Sequence, residues 1–387
     1  MKIPLSAPDL TQAERQAVQE VLLTRHLALG PTLRAFEERI AAYHGRAHAV
    51  AVNSGTSALH LALLALGAEE GDEVITTPFS FVASANCVLY VRGTPKFIDI
   101  SPSTWNLEPA ALETALTSRT KGIIPVHVFG LPCDMERIGR FASDHGLWVL
   151  EDACEAIGAQ SGNQRVGKLA QISVLAFYPN KQITTGEGGV LLTDDADIAA
   201  LCRSLRNQGR SESGGWLNHE RLGFNYRLSD ISAALGLAQL ERIDEILEKR
   251  ATVAANYMRR LRDVPWLRFQ QIPPGVEKSW FVFVVALTEE FSREDRDAVL
   301  GALRDRGIEC SNYFTPIHLQ PYMAEQFGLQ AGAFPKCEEL AARTIALPFF
   351  NNLQPREIQL VCDAFLEILE KHAPRQSASA GSRPDHS

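Results

Sequence analysis

The stretch AFYPNKQITTGEGG, residues 176–189, places a single lysine, Lys181, between two apolar runs. The first run, residues 173–177, ends at a Tyr-Pro pair, and the second, residues 190–192, follows a turn of threonines and glycines. Short apolar runs bounded by proline and glycine predict buried strands. A lysine at the end of such a strand can lose part of its hydration, which frees its amine to form a Schiff base. A solvated loop lysine is the alternative, and the neighbouring motifs must decide between the two.

Length and composition indicate a soluble protein with more than one folding unit. A chain of 387 residues is too long for one simple core and suggests two domains. Its hydrophobic content of 45% and charged content of 22% are average for soluble globular proteins. The net charge of −8 gives no basic footprint for nucleic acid and mainly favours solubility.

The cysteines and the N-terminus bear on the compartment. The seven cysteines are widely spaced and never form C-x-x-C, so we expect reduced, mostly buried thiols. The N-terminal residues lack the apolar core of a signal peptide, and no apolar run is long enough to span a bilayer. These features predict a cytoplasmic protein that does not enter the membrane.

From residue 48 onward, short apolar runs alternate with helical segments. Near-continuous apolar strands separated by helices predict an α/β fold, with a mostly parallel sheet covered by helices on both faces. In such sheets, ligands bind at the carboxyl ends of the strands. The predicted strands are 48–52, 73–77, 96–100, 122–127, 147–150, 173–177 and 190–192, and the predicted helices between them are 57–66, 81–90, 108–116 and 135–145.

Helices are predicted on both sides of this alternating region. Residues 10–24 form an amphipathic helix, with Thr11 as its N-cap and Glu14 completing a capping box. A second helix covers about 32–43, and a long helix begins near Ser229 and runs toward Arg262.

The C-terminal part of the chain predicts a smaller α+β region. A proline-rich bend at 272–275 precedes a strand at 281–287 and helices near 293–306 and 355–372. We therefore divide the chain into a large α/β domain at 1–250, which includes the N-terminal helices, a small α+β domain at 251–372, and a tail at 373–387. The tail is rich in serine, proline and arginine and is predicted to be disordered.

Two motifs upstream of Lys181 favour the chemical interpretation of that lysine. Residues 52–59, VNSGTSAL, pass from a strand end through small residues into a helix. Gly55 permits close approach of a ligand, and the helix N-terminus favours an anion such as phosphate. Asp152 stands at the end of the strand 147–150, where a carboxylate can pair with a cationic ring nitrogen. The alternatives are an ordinary serine-capped helix and an aspartate that caps a turn.

A phosphate cradle, a strand-end aspartate and a strand-end lysine are together what pyridoxal phosphate requires. Its phosphate must be anchored, its ring nitrogen kept protonated, and its aldehyde held as an imine. Phe81 can stack on such a ring, although an aromatic residue there is equally a core residue. Nucleotide-binding, serine-hydrolase and metal motifs are missing from the sequence, and no metal site is predicted.

With these motifs in place, the sequence resembles the DegT/DnrJ/EryC1/StrS family of sugar-nucleotide aminotransferases, which has the aspartate-aminotransferase-like fold. The resemblance extends from about Leu5 to Glu370. The motifs that carry it are NSGTSAL (53–59), PVHVFG (125–130), EDA (151–153), NK (180–181) with GEGG (186–189), GFNYR (223–227) and PIHLQ (316–320).

The resemblance implies a role for individual residues. Lys181 would hold pyridoxal 5'-phosphate as an imine and move the proton between substrate and cofactor, and Asp152 would hold the pyridinium nitrogen. The remaining cofactor-binding residues would be Gly55, Thr56 and Ser57 at the phosphate, Phe81 on the ring face, Glu155 near the phenolic oxygen, and Asn225 reaching in from a second subunit. The substrate-binding residues would be Arg227, which suits the carboxylate of an amino donor, together with His318 and Tyr313 near the sugar nucleotide. A homodimer with shared active sites is implied.

Two positions depart from the usual pattern of the family. Ala176 stands where a phosphate-binding serine is usual, and we expect Ser57 or Ser173 to compensate. Glu155 stands where glutamine or histidine is common, which makes the sequence most similar to perosamine synthases and related enzymes that act on 4-keto sugars.

The resemblance implies a transaminase that transfers an amino group from an amino acid, glutamate in the first instance, to a nucleotide-linked 4-keto-6-deoxy sugar. A sugar dehydratase on the same scaffold is the nearer alternative, but such enzymes replace the imine lysine with histidine, and Lys181 is present. A non-catalytic regulator that retains the fold is the alternative from another class. It would be favoured if glutamate failed to convert the cofactor to its amine form.

Overall fold

The computed structural model describes residues 2–211 and 217–373. Residues 374–387, which make up nearly all of the predicted disordered tail, lie outside the described residues. The strands are β1 (His48–Val52), β2 (Glu73–Thr76), β3 (Thr94–Phe97), β4 (Thr120–Ile123), β5 (Trp148–Asp152), β6 (Gln160–Ser161), β7 (Gln164–Arg165), β8 (Ile172–Ala176), β9 (Gly189–Thr193), β10 (Leu267–Arg268), β11 (Val276–Glu277), β12 (Phe283–Leu287) and β13 (Thr344–Leu347).

The α-helices surround these strands. They are α1 (Gln12–Leu22), α2 (Pro31–His44), α3 (Gly55–Ala65), α4 (Ala83–Tyr90), α5 (Leu112–Ala115), α6 (Met135–His145), α7 (Ala196–Arg206), α8 (Asp230–Glu241), α9 (Ile243–Leu261), α10 (Arg293–Asp305), α11 (Pro321–Phe327), α12 (Pro335–Arg343) and α13 (Pro355–His372). Three short 3-10 helices lie at Pro109–Ala111, Val128–Gly130 and Ile317–Leu319.

The main sheet has seven strands in the order β1-β9-β8-β5-β4-β2-β3. β9 is antiparallel to both of its neighbours, β1 and β8, and the pairs from β8 to β3 are all parallel. The predicted α/β fold with a mostly parallel sheet is confirmed. Its parallel strands bring the carboxyl ends of β5 and β8 together at one edge of the sheet.

Both faces of this sheet are buried, as its apolar strands predict. Successive side chains of a strand point to opposite faces. In β1, Ala49 and Ala51 accordingly join one core, which includes Phe36 of α2, while Val50 and Val52 join another, which includes Leu59 of α3. The helices therefore lie on both sides of the sheet, as expected for a parallel sheet.

Local capping residues in the sequence determine where most of the helices begin. The capping box predicted at Thr11 and Glu14 is present, because each side chain binds the backbone of the other residue. Ser54 caps α3 by accepting a hydrogen bond from the backbone N–H of Ser57 at 3.0 Å. The N-terminus of α3 is thereby fixed next to the end of β1.

Two predicted helices are shorter than the sequence pattern suggested. Residues 108–116 form a 3-10 turn followed by the single turn of α5. The long helix expected from Ser229 toward Arg262 is interrupted at Arg242, whose backbone leaves the helical region between α8 and α9. There the Arg242 guanidinium donates to Glu14 of α1 at 2.6 Å, a long-range contact that no local pattern reveals.

A second core lies in the C-terminal part of the chain. Its sheet has the order β10-β12-β13, and its apolar residues come mainly from α9, α10 and α13. Ile3 also belongs to this core and pairs with Ile308, and α9 runs through residue 250. The division at residue 250 therefore stays a prediction.

The thiol prediction is confirmed. All seven cysteines are free, and all but the half-buried Cys154 are buried. Across residues 2–211 and 217–373, no helix has the length and apolar character needed to cross a membrane.

Candidate active site

A cavity of about 640 Å³ opens at the carboxyl ends of β5 and β8. Its walls also include the N-terminus of α3 and the segment 312–315 that precedes α11. The predicted site residues that line it are Gly55, Thr56, Phe81, Asp152, Glu155, Lys181 and Tyr313. The lysine and the aspartate expected to share one site therefore do so.

Lys181 follows β8 on a turn whose backbone is fixed by a hydrogen bond from the Lys181 N–H to the Tyr178 carbonyl at 2.9 Å. Its Nζ atom lies 3.7 Å from Oε1 of Glu155 and 4.0 Å from the ring centroid of Phe281. The side chain is only 13% exposed. A carboxylate and an aromatic face thus hold the amine at the cavity wall.

Asp152 is the last residue of β5 and is buried. Its Oδ2 accepts a hydrogen bond from the Ser84 hydroxyl at 2.8 Å, and its Oδ1 accepts one from the Cys154 N–H at 3.2 Å. Both donors hold the side chain in one orientation, since hydrogen bonds to a charged acceptor are strong and directional. The carboxylate is fixed at the cavity wall by Ser84 of α4, a residue for which no role was predicted.

The strand end itself is held by Glu151, which faces away from the cavity. Its buried carboxylate accepts from His127 Nε2 at 2.9 Å, from the Ser173 hydroxyl at 2.5 Å, and from the backbone N–H groups of Gly167 and Leu169 at 2.9 and 3.1 Å. Burial acts to raise the pKa of Glu151, but the bond from His127 and the other donors lower it below its usual value. This satisfied anion ties β5 to β8 behind the site.

Glu155 presents a second buried carboxylate to the cavity. Its Oε2 accepts a hydrogen bond from the Phe129 N–H at 2.9 Å, while Oε1 faces Lys181. Burial raises the pKa of Glu155 above its usual value, and the nearby Lys181 charge offsets this only in part. Glu155 can therefore hold a proton closer to neutral pH than an exposed glutamate can.

The turn that donates to Glu155 is tightly constrained. Phe129 has a φ of 56° and Gly130 a φ of 85°, both in the left-handed region. A Cβ atom at Gly130 would lie 1.6 Å from the Ser279 carbonyl oxygen, so only glycine fits there. A close approach between two distant segments thus sets the position of the Phe129 N–H.

The N-terminus of α3 forms another wall of the cavity. Gly55 and Thr56 open the helix, where backbone N–H groups have no partner within the helix and favour an anion. A Cβ atom at Gly55 would lie 2.7 Å from Cβ of Ala176, so glycine allows α3 to pack directly against the end of β8. Ser57 does not line the cavity, because its hydroxyl donates to Asn53 at 2.7 Å.

Ala176 lies at the cavity wall, where the usual serine would stand. The expectation that Ser173 compensates is wrong, because its buried hydroxyl donates to Glu151 behind the sheet. Two hydroxyl-bearing residues at the start of α3, Ser54 and Thr56, line the same cavity.

Asn225 and Arg227 do not line this cavity within the single chain. Asn225 is exposed, and its carbonyl accepts a long hydrogen bond of 3.5 Å from Asn53. Arg227 is half-buried and donates to Asn207 at 3.1 Å. The predicted role of Asn225 concerns a second subunit and that of Arg227 the carboxylate of an amino donor, and both stay predictions.

His318 and Tyr313 occupy different environments. His318 is fully buried outside the cavity, with Nε2 2.9 Å from Oε1 of Glu338, and burial lowers the pKa of its imidazole. Tyr313 lines the cavity and stacks on Phe314 at 5.1 Å between ring centroids. Because His318 does not line the cavity, the structure gives no support for its predicted role in substrate binding.

Several lining residues were not predicted from the sequence. The sequence gives only a weak signal for Ser84, which stands four residues, about one helical turn, after Ser80. In the structure the hydroxyl oxygens of these two serines lie 3.0 Å apart. Phe281 carries none, because its place over Lys181 depends on folding of a segment that is distant in the chain. Tyr178, Asn180 and Glu187 surround the lysine turn and could have been inferred from their closeness to Lys181.

The donor set of the cavity suits pyridoxal phosphate. Thr56 and the first amides of α3 can bind a phosphate, the fixed Asp152 carboxylate can keep a ring nitrogen protonated, and Lys181 supplies a shielded amine. Phe81 is 61% exposed on the same wall, which leaves its ring face free for a flat ligand. The residues present therefore fit the cofactor.

Comparison with known proteins supports the same chemistry. A sequence profile described as the DegT/DnrJ/EryC1/StrS aminotransferase family matches residues 8–366. A GDP-perosamine synthase from Caulobacter vibrioides is 39% identical over 373 residues, which cover 95% of this chain and 98% of that protein.

Solved structures agree with this result over nearly the full length. PseC of Helicobacter pylori, an aminotransferase involved in the biosynthesis of pseudoaminic acid, superimposes with a TM-score of 0.90 at 30% identity, covering 96% of this chain and 100% of that chain. Spr1654 of Streptococcus pneumoniae in its PLP form superimposes with a TM-score of 0.90 at 26% identity, covering 97% of this chain and 100% of that chain.

Proposed function

The chain belongs to the DegT/DnrJ/EryC1/StrS aminotransferase family of pyridoxal-phosphate-dependent sugar aminotransferases, and from this premise we propose that it aminates a nucleotide-linked 4-keto-6-deoxy sugar with L-glutamate as donor. The observation that carries the proposal is the shared cavity of Lys181 and Asp152. The identity to a GDP-perosamine synthase supports the choice of a GDP-linked sugar as the first candidate.

In this proposal, Lys181 is the catalytic base and acid. When bound, pyridoxal phosphate supplies an electron-withdrawing ring that stabilises negative charge on the reacting carbon. The Lys181 amine provides the covalent attachment and, when free, moves a proton at the substrate carbon. Its low exposure of 13% and its contact with the Phe281 ring limit the access of water to the side chain.

Asp152 holds the proton on the ring nitrogen. A carboxylate with two fixed donors has little freedom to turn away, so the hydrogen bonds from Ser84 and Cys154 orient it for this task. Ser84 is thus a positioning residue for Asp152.

Glu155 stands between the amine and the Phe129 turn. Its Oε1 atom lies 3.7 Å from Nζ of Lys181, so the two side chains are held next to each other at the cavity wall. The phosphate is anchored by Gly55 and Thr56 at the start of α3, with Thr56 supplying a hydroxyl group in place of the serine missing at position 176.

Substrate binding and assembly complete the proposal. Tyr313 on the cavity wall contacts the sugar, Arg227 binds the carboxylate of the amino donor, and Asn225 reaches into the site of a second subunit in a homodimer. The division into domains at 1–250 and 251–372 and the cytoplasmic location are also parts of this proposal.

The test is a substrate panel with the purified enzyme. GDP-linked, dTDP-linked and UDP-linked 4-keto-6-deoxy sugars are each incubated with L-glutamate, and the amino sugar is detected by mass spectrometry together with 2-oxoglutarate. We expect turnover with at least one 4-keto sugar and none with the corresponding 4-hydroxy sugar. Conversion of the cofactor by glutamate without amination of any 4-keto sugar would contradict the acceptor class while leaving the donor half-reaction intact.

A further inference from the structure

A second concave site lies apart from the Lys181 cavity. It is a groove of about 600 Å³ between α2 and α7, and it runs beside β1. The two sites share no lining residue within the described ranges. Its size is within the range of pockets that hold small ligands, which is roughly 300 to 1,000 Å³.

Arginine dominates the charges of this groove, which we call the arginine groove. Arg34, Arg203, Arg206 and Arg210 line it, against the carboxylates Glu37 and Glu38. Four positive and two negative charges give 4 − 2 = +2, whereas the whole chain carries −8. A positive concavity on an acidic protein attracts anions specifically to that place.

Part of this charge has a structural purpose. β1 is an edge strand, and exposed edges must be covered. Glu37 accepts a hydrogen bond from the Ala51 N–H at 2.8 Å, and Arg206 binds both Glu37 and the Ala51 carbonyl. This buried pair caps the strand edge and neutralises itself.

The remaining donors are not explained by edge capping. Arg34 forms no hydrogen bond or ion pair with residues 2–211 or 217–373 and lies on α2, away from the strand. Arg203 makes a long contact of 3.4 Å to the Ala49 carbonyl, which leaves most of its guanidinium available to a ligand. Arg206 belongs to the capping pair, although its buried Nε atom has no hydrogen-bond partner within residues 2–211 and 217–373.

We propose that the arginine groove binds the diphosphate of a nucleoside diphosphate. Planar guanidinium groups bind phosphate oxygens in pairs, and Arg34 and Arg203 approach from opposite helices. The half-buried Leu29 supplies an apolar contact for a base, backed by the buried Leu33 and Ala41.

The diphosphate can come from two sources with the same chemistry. One is a free nucleoside diphosphate that acts as an effector, and the other is the diphosphate of a sugar nucleotide. Neither source depends on which sugar is aminated, because binding in the groove involves no turnover. Under the proposed function the Lys181 cavity also takes a nucleotide-linked sugar, so only the GDP binding that is lost when Arg34 and Arg203 are substituted is assigned to the groove.

The test measures binding of GDP and of inorganic pyrophosphate to the full-length holoenzyme by titration calorimetry. The variants are Arg34→Gln, Arg203→Gln and the double variant, and Arg39→Gln on the exposed side of α2 is the matched control. Loss of one charged contact is expected to weaken GDP binding by about tenfold, and loss of both by more. Arg39→Gln is expected to bind GDP as the unmodified protein does. Binding is also expected to weaken as salt is raised.

A second arm identifies the source. GDP-mannose, which lacks a keto group, is titrated into protein saturated with GDP. One-for-one displacement of the GDP that the double variant fails to bind assigns the groove to the diphosphate of a sugar nucleotide, and retention of that GDP alongside GDP-mannose assigns it to a free effector. Either result supports the groove provided that the arginine variants lose GDP affinity.

The proposal is overturned if the double variant, shown to be folded by its urea midpoint, binds GDP as tightly as Arg39→Gln does. It is also overturned if the unmodified protein binds neither GDP nor pyrophosphate at millimolar concentration. Arg206 is not substituted in this test, since removing it would expose the buried Glu37 carboxylate and destabilise the fold.

Discussion

The Lys181 cavity and the arginine groove are of nearly equal size but are built in different ways. The cavity lies at the carboxyl ends of β5 and β8, and its central charges belong to groups that can gain or lose a proton. The groove lies along the edge strand β1, between two helix faces, and its charges are mostly guanidinium groups.

This difference separates chemistry from binding. Groups such as lysine and glutamate can exchange protons near neutral pH when burial shifts their pKa values, whereas arginine holds its proton and offers fixed charge. The cavity is therefore suited to proton transfer, and the groove to holding an anion. Each prediction below changes one property of the cavity, and the first also asks whether the groove is left unaffected.

The largest effect is expected for Lys181→Ala. Removing the amine removes both covalent attachment and proton transfer, so turnover should fall by about three orders of magnitude or more. The visible absorbance of the purified protein should vanish or shift at the same time. GDP binding by the groove should not change.

The matched control is Lys121→Ala, which removes an exposed lysine on β4 that lines neither site. It should keep the spectrum and the turnover. An unchanged spectrum in Lys181→Ala would refute the assignment of this lysine.

The next effect is expected for Asp152→Asn. The amide has nearly the same shape but cannot stabilise a protonated ring nitrogen, so turnover should fall by about a hundredfold. The cofactor should also dissociate more readily, as measured by equilibrium dialysis. Asp144→Asn, at an exposed position of α6, is the control and should alter neither quantity. Turnover that survives in Asp152→Asn would assign the carboxylate a purely structural role.

Strand ends explain why much of the cavity could be predicted from the sequence. Lys181 and Asp152 follow apolar runs whose ends are visible in the chain, and parallel pairing then brings those ends together. The same runs predicted the α/β fold. The local sequence pattern was sufficient to predict the position of a residue wherever its own strand or helix determines that position.

The sequence pattern could not predict contacts between segments that are distant in the chain. Phe281 over Lys181, the Phe129 N–H on Glu155 and the break at Arg242 all depend on tertiary packing. The arginine groove has the same origin, because α2 and α7 meet only in the folded chain. An amphipathic pattern shows which face of a helix is buried but not which helix it meets.

A smaller effect is expected for Ser84→Ala, which removes one of the two donors to Asp152. A hydrogen bond to a charged group contributes about 1.5 kcal/mol or more, so turnover should fall by about tenfold. The decrease should be smaller in Ser84→Thr, which retains a hydroxyl group. Ser143→Ala on the exposed face of α6 is the control. An equal loss in Ser84→Ala and Ser84→Thr would point to packing of α4 rather than to the hydrogen bond.

The smallest effect concerns stability and distinguishes the titratable cavity from the groove. Burial raises the pKa of Glu155 in the folded protein above its value in the unfolded chain. The folded state therefore binds this proton more tightly. Its contribution to stability is full below the ordinary pKa of glutamate and is lost as the pH rises through the raised value. The titratable and charged groups facing it are Lys181, Asp152, Cys154, Tyr313 and Lys278.

Glu155→Gln should remove this loss of folding stability at high pH. Urea unfolding of the cofactor-free protein at pH 4.5 and pH 8 gives the change in stability on substitution at each pH. We expect this change to be more favourable at pH 8 than at pH 4.5, because only the unmodified protein must ionise a buried carboxyl group. Glu241→Gln, at an exposed position of α8, should show the same change at both values. A pH-independent difference for Glu155→Gln would mean that Lys181 fully offsets burial, and the cavity would then resemble the groove in carrying fixed charge.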